Sequence, residues 1–343
     1  MEHEAHSDRE NQKEEMIQEH RHEIGELRAR AIREGFIVYD PEGNFLHALA
    51  PNGKPSRLSE DQWCEVRSRS FKEWFGDWEK DPGNASGAVD ENGEPVVCWH
   101  GSPRAFDSFS EAPGEWRWLN RGHMFFDDRA RVVEYAQKAK SAFAHILRSI
   151  YEQDHYGQLP SSWQEVYDHV LPIWNEIVGD LIEHGEQSRF FQSRKYSENS
   201  LPQTVITYKN FSFGTESALE IFGGELPNAE NVDTRMTAGG QAYAFGKNIG
   251  EHYYPVFLNI RRGVSVRGDT TGLDAGFESI ENFEKDEGVD GGVVHFQKTL
   301  PTMGGREDLS RPLRGLIAFD AHQIKSAEGN SGLYQGRNAS IYE

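Results

Sequence analysis

Apolar residues are sparse at the start of the chain and recur at helical spacing. Ile17, Ile24, Leu27, Ala31 and Ile32 mark a thin stripe through charge-dense residues 1–34, and Gly35 ends it, which predicts one charged helix. The pattern then shortens. Phe36 to Tyr39 and Phe45 to Ala50 are β-like runs on either side of the turn sequence DPEGN, a small hairpin. Leu58, Trp63, Val66, Phe71, Trp74 and Phe75 return to helical spacing, and Ser59 with Gln62 three residues on forms a capping box at the start of that stretch. From about residue 95 the texture is one of short strands between glycine-rich turns: PVVCWH, HMFF, YYPVFLNI, GVSV, GGVVHF and GLIAF. Between the second and third of these, residues 129 to about 185 carry a helical stripe of Val166, Val170, Trp174, Ile177, Val178 and Leu181, with Pro172 set to kink it or to open a new helix. Residues 186–234 read as polar and loop-rich. Strands and helices do not alternate regularly, which disfavours a doubly wound parallel sheet and leaves an α+β class.

Composition narrows the picture. The 343 residues include 36 Lys and Arg against 56 Asp and Glu, a formal net charge of −20. A phosphate backbone or an acidic membrane is repelled by most of such a surface. A bound nucleotide remains compatible, because a pocket of fixed N–H donors holds phosphate against an unfavourable global field. No run of apolar residues approaches the ~18 of a membrane span. The first fifteen residues are too polar for a secretory signal, so a cytoplasmic location is expected. Cys64 and Cys98 are too few for a disulfide framework or an all-cysteine metal site. His3, His6, His20 and His22 lack metal-ligand spacing and read as part of a solvated helix face.

Dinucleotide, Walker A and nucleophile-elbow motifs are absent. What remains is a set of pieces in a particular order. Trp99-His100-Gly101-Ser102 closes a strand; the His can hydrogen-bond a ligand, and the Gly lets a ligand group approach the main chain. Gly122-His123-Met124-Phe125-Phe126-Asp127-Asp128 is a strand passing into a helix. Its adjacent Phe125 and Phe126 point to opposite faces, so one of them is available to stack on a flat ring.

The order SFKEWFGDW, VDENGEPVVCWHGS, the FF-D-D turn, YPVFLNI, DGGVV and AFDAHQIKSAEGNSG resembles the ADP-ribosyltransferase-like domain of bacterial and phage polyvalent proteins. The matching blocks span residues 57–128 and 253–333. The resemblance implies two packed antiparallel sheets forming a split cleft with NAD in it, as substrate. It also implies a domain over 93–343, a helical insertion at about 129–185, a connecting region over 36–92, and an added N-terminal helix over 1–35. In the family's His-Tyr-Glu pattern, His100 anchors the adenosine ribose, Gly101 presents backbone groups to the nicotinamide carboxamide, Phe125 takes the place of the stacking Tyr, and Ser102 and Phe126 beside them are further candidates for binding NAD.

The family Glu stands at or just before the last core strand, where this chain reads Leu313-Arg314-Gly315. Glu307, in the preceding GGRED segment, is the candidate carboxylate for the positive charge that builds on the ribose as nicotinamide leaves. The implied activity is ADP-ribosyl transfer from NAD to a macromolecule of a host or competitor, a protein rather than a nucleic acid, in the cytoplasm of the source or of a host cell. The alternatives are an inactive ADP-ribosyltransferase-like module that binds a nucleotide or a protein, and an enzyme that hydrolyses or cyclises NAD.

Overall fold

The computed structural model describes residues 2–109, 122–194, 203–214, 220–267, 288–296, 299–302, 305–308, 312–336 and 338–343. They form two compact units. Unit 1 comprises Met1–His100, Phe106–Val132 and Tyr254–Glu343; unit 2 comprises Gly101–Ala105 and Val133–Tyr253.

Unit 1 begins with α1 (Glu2–Glu34), which Gly35 ends at φ 79°, a conformation that costs a glycine nothing. The hairpin β1 (Ile37–Tyr39) and β2 (Phe45–Ala48) follows as predicted. The predicted helix over the aromatic stretch is instead two short ones, α2 (Glu60–Glu65) and α3 (Arg69–Phe75). Ser59 and Gln62 close the capping box on α2. Ser68 interrupts the pattern because its hydroxyl accepts from the Phe71 N–H and starts the second helix. Phe71, Trp74 and Phe75 of α3 pack with Phe257 and Tyr334 in one apolar cluster. His20 is not solvated: it is 9% exposed, between Glu65 (3.1 Å) and Ser70 (3.3 Å).

The strands predicted after residue 95 join one seven-stranded sheet, which also takes in a short strand at Ile324. In chain order they are β3 (Cys98–Arg104), β4 (His123–Phe126), β10 (Ile249–Leu258), β11 (Gly263–Arg267), β12 (Gly291–Phe296), β15 (Leu313–Ala318) and β16 (Ile324–Ser326). Their order across the sheet is β11-β12-β15-β4-β3-β10-β16. The β11–β12 pair is parallel, and β12–β15, β15–β4, β4–β3 and β10–β16 are antiparallel. The class is therefore α+β, with one continuous mixed sheet where two packed antiparallel sheets were expected. Within unit 1 this sheet is covered on both faces. Phe257 faces the α2–α3 cluster, while Cys98, Phe125, Tyr254, Val256 and Leu316 form a second cluster with Phe109 and Ile341.

Unit 2 contains α4 (Val133–Ala136), α5 (Lys138–Asp154) and α6 (Trp163–His184). Every residue of the predicted stripe on α6 is buried, and the helix carries Pro172 without ending there. The missing hydrogen bond is local, whereas the apolar stripe packs along the whole element. The region expected to be loop-rich holds strands: β5 (Phe191–Arg194), β6 (Gln203–Tyr208) and β7 (Phe211–Gly214) form one sheet. A second sheet pairs β8 (Val232–Met236) with β9 (Ala242–Gly246). Ile206 and Ile221 from this region and Phe245 of β9 join Ile146, Ile150 and Trp174 in a core belonging to unit 2 alone. Among the described residues no helix is long and apolar enough to cross a membrane.

Candidate functional site

The strand positions singled out in the sequence come together at the centre of the sheet. β15, β4 and β3 are consecutive neighbours, so the strand that should carry the acid, the aromatic strand and the His100 strand lie side by side. His100 is half-buried, and its Nδ1 lies 3.0 Å from the Met124 carbonyl oxygen. A carbonyl only accepts, so Nδ1 carries the proton and Nε2 presents a lone pair. Burial pushes the imidazole pKa down, against the Met124 hydrogen bond, which favours the charged form. His100 is thus a neutral acceptor, suited to a hydroxyl.

Four aromatic rings surround it: Phe109 at 5.1 Å, Phe125 at 5.6 Å, Phe106 at 6.0 Å and Tyr254 at 6.5 Å between centroids. Phe106 and Tyr254 stack at 4.1 Å, and the Phe106 N–H donates to the Tyr254 hydroxyl at 2.8 Å. His123, at the start of β4, has its ring 5.0 Å from Phe109. Burial, then the nearby His100, push its pKa down to about 4, opposed by Asp320. Two imidazoles whose pKa values are pushed down by burial thus lie among aromatic rings within unit 1.

The expectation for the paired phenylalanines needs correcting. Phe125 is 0% exposed and Phe126 2%. Alternation does point them to opposite sides, but both sides of this sheet are covered, so neither ring offers an accessible face. Phe125 is instead the floor beneath His100. Gly101 and Ser102 fall in unit 2, immediately past the unit boundary at His100. The Ser102 hydroxyl accepts from the Arg104 N–H at 3.0 Å.

At the start of β15 the acid position holds an ion pair. The Arg314 Nε donates to Asp127 Oδ2 at 2.9 Å, its main-chain N–H donates to Oδ1 at 3.0 Å, and Nη1 reaches the Val89 carbonyl. Glu307 lies in β14 (Gly305–Asp308), where its backbone is opposite Leu300 of β13 (Thr299–Thr302) in a separate two-stranded sheet. Its side chain lies outside the described part of the structure. No group of three or more His, Cys, Asp or Glu able to hold a metal occurs among the described residues.

Sequence reasoning missed Phe106, Phe109, His123 and Tyr254 as partners of His100, and Asp127 as the partner of Arg314. The spacing FDSF after the His100 strand was the available signal for the first two, because two rings three residues apart can cover one point from a single turn. The others needed the strand order. Comparison of the chain with protein-family models, with curated proteins and with solved structures finds no match.

Proposed function

We propose that the chain binds NAD at the His100 cluster and transfers ADP-ribose to a macromolecular acceptor, as an ADP-ribosyltransferase-like domain. The observation that carries this reading is the adjacency of β3, β4 and β15, which brings three motif positions far apart in sequence to one place. In it, His100 Nε2 accepts a hydrogen bond from a ribose hydroxyl. Nicotinamide leaves with the electron pair of the glycosidic bond, a nucleophile of the acceptor forms the new bond to the same ribose carbon, and the acceptor's proton passes to a carboxylate. That carboxylate also stabilises the positive sugar. Glu307 is the candidate for it.

The Arg314–Asp127 pair favours a second reading, a non-catalytic module that binds the nucleotide. A guanidinium at the start of β15 opposes the build-up of positive charge on a sugar held there, and its Asp partner is already committed.

One experiment separates the two. Protein, labelled NAD and a lysate are incubated, and the label is followed on a gel and after nuclease digestion, with wild type, His100→Ala and Glu307→Gln in parallel. Under the transfer reading, wild type labels protein bands, and Glu307→Gln loses label by ~10²–10³ in rate while still binding NAD. His100→Ala weakens NAD binding by ~1–3 kcal/mol, about 5–150-fold in Kd. NAD binding by wild type with no labelling selects the non-catalytic module. Absence of NAD binding by calorimetry overturns both.

A further inference from the structure

The cover over His100 is fastened by a second segment of the same unit. Phe106 and Phe109 supply two of the four rings around the imidazole, and both belong to the stretch Phe106–Phe109 that follows β3. Its backbone is held from the other side by residues near 340. The Ile341 N–H donates to the Asp107 carbonyl at 2.8 Å, and Ser108 forms an antiparallel bridge with Ser340. Residues 338–341 are in turn tied to the sheet edge. The Ser326 N–H of β16 donates to the Ile341 carbonyl at 2.6 Å, and Asn330 Nδ2 donates to the same oxygen at 3.0 Å. Lys325, itself 0% exposed, donates its Nζ to the carbonyls of Asn338 (2.7 Å) and Ser340 (2.8 Å). The Ile341 side chain is 0% exposed, in the cluster that contains Phe109 and Phe125.

We propose that residues 338–342 are a strap that fastens Phe106–Phe109 over His100, and that a ligand gains His100 only when this strap is released. The division of labour follows from the contacts. Inside the cover, the packing is ring against ring, with one hydrogen bond from the Phe106 N–H to the Tyr254 hydroxyl. Outside it, main-chain hydrogen bonds fix the register, and they run through a segment that lies on neither β3 nor β4. The anchor is polar and extensive where the strap meets β16, whereas the strap meets the cover through the Ser108–Ser340 bridge, with its Ile341–Asp107 hydrogen bond, and the packing of Ile341 in the cluster that holds Phe109. Breaking these contacts, together with the bond from the Phe106 N–H to the Tyr254 hydroxyl, frees the cover while leaving the strap seated on the sheet. The strap regulates the nucleotide site proposed above and rests on that reading for its ligand, though not for its effect on His100 itself.

The test uses the full chain with Ser108→Cys and Ser340→Cys together. Because the hydrogen bond runs between the flanking Ile341 and Asp107, Ser108 and Ser340 form a non-hydrogen-bonded pair, the kind with closely spaced side chains, suited to a disulfide. Cys64 and Cys98 are buried and do not compete. Two readouts are compared in the oxidised and reduced forms: acylation of His100 by diethyl pyrocarbonate, mapped by peptide mass, and NAD binding by calorimetry. His22, on an exposed helix face, is the internal reference for acylation.

Oxidation is expected to slow His100 acylation at least tenfold, leave His22 unchanged and abolish NAD binding, with reduction restoring both. Equal His100 acylation in the two forms, or failure of the cysteines to cross-link, overturns the strap. Slowed acylation with no NAD binding in either form keeps the strap and removes the NAD reading. Slowed acylation with equal NAD binding in both forms overturns its control of the nucleotide site.

Discussion

At the residue scale, the most informative side chains are those whose chemistry is set by burial. Phe125 combines complete burial with contacts to His100 and Phe109. Phe125→Ala is expected to cost ~3–5 kcal/mol of stability. Phe125→Tyr adds a hydroxyl to an apolar cluster and is expected to cost ~1–3 kcal/mol. Thermal melts of both variants check this, and a Tyr variant with wild-type stability and tighter NAD binding would return the ring to a stacking role. His123 carries a pH dependence. Its ordinary value is 6.5, and in the fold it is pushed down to about 4. Between those values the unfolded chain holds a proton at this ring that the folded chain does not, so stability falls as pH drops from 6.5 toward 4. Denaturant unfolding at pH 7, 5.5 and 4.5 should show this loss, and His123→Gln should show less of it. An equal loss in the variant would assign it to other groups.

At the scale of elements, Ser59 is a direct check on local coding. It caps α2 and takes part in a reciprocal capping box, so Ser59→Ala is expected to destabilise unit 1 by ~1 kcal/mol, and Ser59→Asp to restore most of it, in urea titrations. The capping box, the first hairpin, six of the seven strands of the central sheet and the α6 stripe were legible in the sequence, because each is written in local periodicity or turn chemistry. β5 to β9 were not. Val232–Met236, for example, is a strand of which no residue is fully buried, so it carries no clean apolar alternation. The break between α2 and α3 was also hidden, since both helices share one apolar face and only the Ser68 cap divides them. In the candidate site, His100 was legible because a strand end followed by Gly is a local signal. The ring enclosure and the Arg314–Asp127 pair were not, because they arise from strand order, which places residue 314 beside residue 127. Covering of both sheet faces is likewise a tertiary fact, and it is what turned Phe125 from a platform into a floor.

At the scale of the whole molecule, the two units have separate apolar cores, one around Trp174 and the other around Phe71 and Phe125. Calorimetry is expected to resolve two unfolding transitions. Trp174→Ala, which removes a 1% exposed side chain, should lower one of them by ~3–5 kcal/mol and leave the other in place. A single transition, shifted as a whole, would mean that the cores melt together. The connectivity also has a consequence in time. The chain crosses between units at His100, Ala105, Val132 and Tyr253, and the neighbours β4 and β15 are separated by Val133–Tyr253 of unit 2. On a ribosome adding roughly 5–20 residues per second, Phe125 of the aromatic strand is added roughly 10–40 s before its partner Leu316. During synthesis the later-starting unit is therefore the first able to finish folding, and HMFF, with β3 on one side, waits with its other edge unpaired, an edge that a holding chaperone is suited to shield.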